Sequence, residues 1–153
     1  MINISELKIK RVLFCISIIM GILMLTCCMR NPHEITISNK SILLTSEPIK
    51  FKLDEVIYRN REIASILLNL APYILKVKKG VVMLADGRKG AIEVVLTDNR
   101  GIKYKANYYG TVGDSFSASF SHLKKNVKIS TIEISSSIEI LCSRVYWYCF
   151  DPI

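Results

Sequence analysis

The side chains able to do chemistry are few and widely spaced. Asp114, Ser115 and His122 are the residue types of a nucleophile with its acid and base. On an extended strand, however, Ser115 and His122 stand about 23 Å apart at the usual rise per residue. The chain also lacks the Gly-x-Ser-x-Gly turn that presents a serine nucleophile, so these residues do not read as a triad. Glu93 with Glu133 or Glu139 would be the carboxylate pair of a glycoside hydrolase. Each is the polar member of an alternating stretch, which places it on a solvated sheet surface. Asp86, Asp98 and Asp114 fall in turn-like segments and are calcium candidates if those turns meet at one end of the domain. Turn geometry by itself also favours aspartate at such positions. His33 and His122 are the only histidines, and no phosphate loop, dinucleotide fingerprint or zinc spacing is present. No metal or cofactor is expected, and an enzymatic role is not indicated.

A ligand site is better sought where aromatic and basic residues combine. Tyr109 is expected to share an outward face with Lys103 and Lys105, and Trp147 sits between Tyr146 and Tyr148. Flat aromatic rings beside polar groups can stack on sugars, although Tyr and Trp also fill sandwich cores. Tyr109, Lys103, Lys105 and Trp147 are therefore the ligand-binding candidates. Cys142 and Cys149 are seven residues apart in one long strand-like run. An odd offset predicts opposite faces, and hence two small buried thiols rather than a disulfide, unless a bulge or turn intervenes.

The elements that must hold these residues are strands. Ile35 to Ser38, Ile42 to Thr45 and Ile49 to Leu53 are short candidates, the last with Lys50 and Lys52 alternating toward water. Asp54 to Tyr58 is expected to start a short helical turn. Ile63 to Leu70 is mostly apolar, broken by Ser65 and Asn69, and reads as a strand in preference to a helix, since Pro72 would cut a helix short. Tyr73 to Lys78, Val81 to Leu84, Ile92 to Leu96, Ile102 to Tyr108 and Ser115 to Ser121 follow. Asp86-Gly87 and Asp98-Asn99-Arg100-Gly101 supply hairpin turns, and Gly110 to Gly113 reads as loop. The apolar phase slips between Ile129 and Ile132, which predicts a bulge near Ser130-Thr131. Ile138 to Phe150 is the longest strand, with Ile140, Cys142, Tyr146 and Tyr148 expected on one face and Leu141, Val145 and Trp147 on the other. Short strands at near-regular spacing predict an all-β, antiparallel sandwich, jelly-roll-like or alternatively immunoglobulin-like. The closing run KISTIEISSSIEILCSRVYWYCFDP, Lys128 to Pro152, resembles the last strands of galactose-binding-like jelly rolls in rhythm and in its late Trp. That resemblance implies a sandwich and transfers no binding residue.

Ahead of this domain, Val12 to Met29 carries no charge and follows Lys8, Lys10 and Arg11. A basic flank and an apolar run of about 18 residues are the plan of a signal peptide or of a short membrane-spanning helix. Leu25-Thr26-Cys27-Cys28 resembles a bacterial lipobox, which implies lipidation at Cys28, with Cys27 as the alternative. The expected organisation is a signal peptide or hydrophobic anchor helix over 1–29, a tether over 30–34 and the sandwich over 35–153. The formal net charge is +8, of which about +6 belongs to the part after Val12. A basic exported domain suits an anionic envelope component or a glycan and makes nucleic acid an improbable partner. The expectation is a membrane-tethered protein at the cell envelope, on the periplasmic face in a Gram-negative cell, with a binding or structural role. A carbohydrate-binding module or small envelope hydrolase is the alternative. Oligomeric state cannot be read from the sequence.

Overall fold

Apolar–polar alternation at a period of two carries nearly every element of the domain. The computed structural model describes residues 33–58, 63–124 and 127–150, and their regular structure is entirely strand. In the first sheet, β1 (His33–Ser38) and β2 (Ile42–Leu44) lie end to end along one side of β12 (Ile140–Phe150). The other side of β12 pairs with β4 (Ile63–Ala71), followed by β10 (Ser115–Ser119) and β9 (Tyr108–Val112). In the second sheet the order is β3 (Ile49–Tyr58), β11 (Lys128–Ser136), β7 (Lys89–Asp98), β6 (Val81–Leu84) and β5 (Ile74–Lys78). There β8 (Lys103–Lys105) pairs with β7 beyond the stretch that β6 covers. All pairings are antiparallel, and the inner faces of the two sheets close over one apolar core, so the domain is an antiparallel β-sandwich.

Each sheet supplies one side of that core. Ile66, Leu68, Phe116, Phe120, Val145 and Trp147 come from the first sheet and its loops, and Val82, Leu84, Ile92, Val94, Leu96, Ile132 and Ile134 from the second. Gly90 faces inward beneath the loop before β12, where an added Cβ would collide with the Ile138 side chain. The chain leaves the first sheet through a cis Ala71–Pro72 peptide and enters the β5–β6 hairpin. The tip of that hairpin, Lys79-Gly80, has positive φ at both residues, as the tightest two-residue hairpin turns require.

Several elements depart from the sequence expectation for identifiable reasons. Asp54 to Tyr58 is not a helical turn but the continuation of β3, paired to β11 through Ile57 and Tyr58. Ile102 to Tyr108 is not one strand: Lys103–Lys105 stays on the second sheet, while Tyr108–Val112 crosses to the first and pairs with β10. Gly110 is accordingly inside a strand, and the β9–β10 turn is Gly113-Asp114. In β12 the register shifts between Cys142 and Arg144. That bulge reverses the faces beyond it, so Ile140 and Cys142 join Val145, Trp147 and Cys149 inside, and Tyr146 turns to the other face of the sheet while staying buried. A strict period of two had put Tyr146 with Cys142 and separated the two cysteines; one extra residue overturns both assignments. In β11 the break falls between Ile129 and Thr131, at the point where the apolar alternation slips. The apolar segment 12–29, with Cys27 and Cys28, lies outside the described residues, as does the start of the tether.

Candidate functional site

The outer face of the second sheet is where the domain's lysines gather. Register places Lys50 and Lys52 of β3, Lys76 and Lys78 of β5, Lys89 of β7, and Lys103 and Lys105 of β8 on that one face. The carboxylates described on it are Glu93 and Glu133, both near its centre. Lys50 Nζ meets Glu133 at 3.0 Å and Lys103 Nζ at 3.4 Å, while Lys105 Nζ meets Glu93 at 2.6 Å. The hydrogen bond from Lys50, helped by Lys103, holds the Glu133 carboxyl below its ordinary value against a smaller opposing effect of burial. The hydrogen bond to Glu93 raises the Lys105 ammonium. Among the described residues Lys52, Lys76, Lys78, Lys79 and Lys89 have no carboxylate at ion-pair distance.

Two hollows open on this face. One, of about 420 Å³, is bordered by Lys50, Lys52, Lys103, Thr97, Thr131 and Glu133. The Thr97 hydroxyl in it is buried without a hydrogen-bond partner. The other, of about 460 Å³, lies over the β5–β6 hairpin and β7 and is lined by Lys76, Lys78, Lys79, Lys89, Val81 and Met83. The first contains a carboxylate and the second does not, so the second is the stronger attractor of anions.

The structure separates most of the residues singled out in the sequence. Lys103 and Lys105 are together on β8, exposed, on the lysine face. Tyr109 lies on β9 of the first sheet, half-buried, its ring 5.9 Å from Phe116, with Lys105 and Glu93 of the second sheet near enough to act on its phenol electrostatically. Burial, and then the nearby Glu93, push the Tyr109 phenol above its ordinary value. Trp147 is fully buried in the core with its indole N–H directed at Cys149 Sγ, so it offers no surface for a sugar ring. The aromatic platform expected from Trp147 and Tyr109 is thus divided between the core and the junction of the sheets, because the β12 bulge and the β8–β9 crossover each redirect one of them.

The turn aspartates are used locally. Asp98 is 2 % exposed. Its Oδ1 accepts from the Arg100 and Ile102 backbone N–H groups at 2.9 Å each, and its Oδ2 accepts from the Arg100 guanidinium and, at 3.1 Å, the Tyr104 hydroxyl. Burial pushes this carboxyl up, but those hydrogen bonds outweigh it and hold the group below its ordinary value. Asp86 is engaged by Arg88 through backbone and side chain, and Asp114 is exposed in the β9–β10 turn. Among the described residues no three His, Cys, Asp or Glu side chains group as a metal-holding set.

Ser115 is buried and bonded to Asn69 Oδ1 and, at 2.9 Å, to the Tyr146 hydroxyl. His122 packs beyond the other end of β10, near Tyr104 and Phe120. Ser65, Ser117 and Ser119 are linked through their hydroxyls on the same sheet. The group satisfies its own polar atoms, as buried hydroxyls must. Cys142 and Cys149 are both buried and form no disulfide with each other, and burial pushes the Cys142 thiol up to about 11.

Sequence reasoning did not single out Lys76, Lys78, Lys79, Lys89, Val81 and Met83. The available signal was a repeated Lys-x-Lys pattern, at Lys50/Lys52, Lys76/Lys78 and Lys103/Lys105. Each pair marks a strand with a wet side, but only strand pairing puts all three on one sheet. No protein-family model matches the chain, and no curated protein matches it in sequence.

Proposed function

We propose that this chain is an exported protein held at a membrane by its N-terminal segment, with the β-sandwich outside the cytoplasm and a binding or structural role at the cell envelope. Its partner in this reading is an anionic envelope component, met by the outer face of the second sheet. The observation that carries it is the segregation of charge: three Lys-x-Lys strands present their ammonium groups on one face whose described carboxylates are Glu93 and Glu133. A face on which lysines outnumber carboxylates concentrates and orients polyanions, and short tethering makes the encounter local.

The sandwich is read further as a jelly roll rather than an immunoglobulin-like domain. Taking β1 with β2 as one edge strand, and setting aside the β5–β6 hairpin and β9, the sheets run first-eighth-third-sixth and second-seventh-fourth-fifth in chain order. That order is two interlocked Greek keys, which supports the jelly-roll reading.

The test is retention of the detergent-solubilised full chain on immobilised heparin, a soluble-polymer polyanion. Wild type should be retained at low salt and elute as salt rises. Lys52→Gln combined with Lys78→Gln and Lys89→Gln, all lysines without a carboxylate neighbour among the described residues, should elute markedly earlier with an unchanged thermal midpoint. Equal elution of variant and wild type would sink the polyanion role of this face.

A further inference from the structure

The hairpin formed by β5 and β6 differs from the rest of the lysine face. Lys76 stands opposite Met83 and Lys78 opposite Val81, while Met83 is opposite Lys89 on β7. The hollow above them therefore has an apolar floor, Val81 and Met83, and a rim of ammonium groups with no acidic residue among its lining. Val81 is 43 % exposed, and Tyr73 and Leu75 at the base of the hairpin are 63 % and 55 % exposed. Apolar and basic surface thus alternate within a single hairpin.

The turn adds a second, independent observation. Lys79 is the one described non-glycine residue with a positive φ, 52°. An L-residue there sacrifices about 1–2 kcal/mol relative to a position glycine or asparagine would occupy with less strain. A lysine held in that conformation puts a further ammonium group at the apex of the hairpin, next to Lys78 and on the rim of the same hollow as Lys89.

We infer that the β5–β6 hairpin is a bilayer-docking element that binds anionic phospholipid, with phosphate groups on the lysine rim and Val81 and Met83 against the glycerol and upper acyl region. The inference rests on the membrane-tethered reading above and names the anionic partner within it. A free polyanion needs only the rim. A phospholipid also uses the exposed apolar floor, and this hollow supplies both where the Glu133 hollow supplies a rim already half-neutralised. Lysines at an anionic lipid surface each contribute by electrostatic attraction that fades within a Debye length.

The experiment reconstitutes the full chain into nanodiscs of phosphatidylcholine alone, or of equal parts phosphatidylcholine and phosphatidylglycerol. Lysine acetylation is then read residue by residue by mass spectrometry. Lys76, Lys78, Lys79 and Lys89 should lose reactivity about fivefold in the anionic discs, while Lys50, Lys52 and Lys103 change little. Lys79→Asn should weaken that protection at Lys78 and Lys89 while leaving the thermal midpoint equal or higher, which separates lost docking from lost folding. Unchanged reactivity between the two discs overturns the inference, as does equal protection of both hollows. Protection by soluble heparin with none by phosphatidylglycerol also overturns it, while leaving the broader polyanion reading standing. Lipid-dependent protection without heparin retention does the reverse.

Discussion

At the scale of single residues, the domain spends its reactive groups on structure. Asp98 is the clearest case, since five donors converge on one buried carboxylate at the β7–β8 turn. Its folded-state affinity for a proton is below the ordinary carboxylate value, 3.8. A depressed carboxyl contributes stability above the unfolded-state value and loses it as pH falls through the lower folded-state value. The Asp98→Asn domain should therefore be less stable at neutral pH and show a shallower decline on the acid side. Urea midpoints measured from neutral pH down to about pH 3 check this, and parallel curves for variant and wild type would refute it. Cys142 offers a second residue-scale prediction. Its thiol is buried and raised to about 11, so at pH 8 the native chain should leave Cys142 unalkylated by iodoacetamide and denaturation should expose it. Alkylation of the native thiol on a par with a free peptide would contradict the buried geometry.

At the scale of elements, alternation identified the strands well and their faces less well. β6, β7 and the inner residues Ile92, Val94 and Leu96 follow directly from the period of two. β12 does not, because a single bulged residue between Cys142 and Arg144 moves Val145, Trp147 and Cys149 inward. A bulge is set by the fit of one strand against its neighbours, here β4, and leaves no mark in composition. The same holds for the break after Lys105, where the chain changes sheets although the residue pattern continues unbroken. Gly90 shows how tightly such joins are fitted. Its Cβ position is occupied by Ile138, from the loop that leads into β12. Gly90→Ala should cost about 1–3 kcal/mol through overpacking, read as a lower urea midpoint with an unchanged slope. A neutral effect would mean that the Ile138 loop gives way freely.

At the scale of the whole molecule, the two sheets differ in what they turn away from the shared core. The second sheet carries exposed lysines, whereas on the first sheet Ser65, Ser115, Ser119 and Tyr146 are buried there and hydrogen-bonded among themselves and to Asn69. The proposed tether is testable by itself: metabolic labelling with a fatty-acid probe should mark wild type and Cys27→Ser but not Cys28→Ser. Absence of label from wild type would remove the proposed lipidation.

The sequence by itself determined that the domain is made of strands, because a period-two pattern with Gly and Asp turns satisfies burial and backbone hydrogen bonding only in paired sheets. It also determined that Lys50/Lys52, Lys76/Lys78 and Lys103/Lys105 face water, since each flanks an inward apolar residue. Tertiary structure alone decided that these three pairs share one sheet, because β3, β5 and β8 are brought together only through β11, β7 and β6. Tertiary structure also decided that Trp147 is core and that Asp98 is a turn lock. Both depend on contacts between distant segments, where one shifted register reverses which side chains reach solvent.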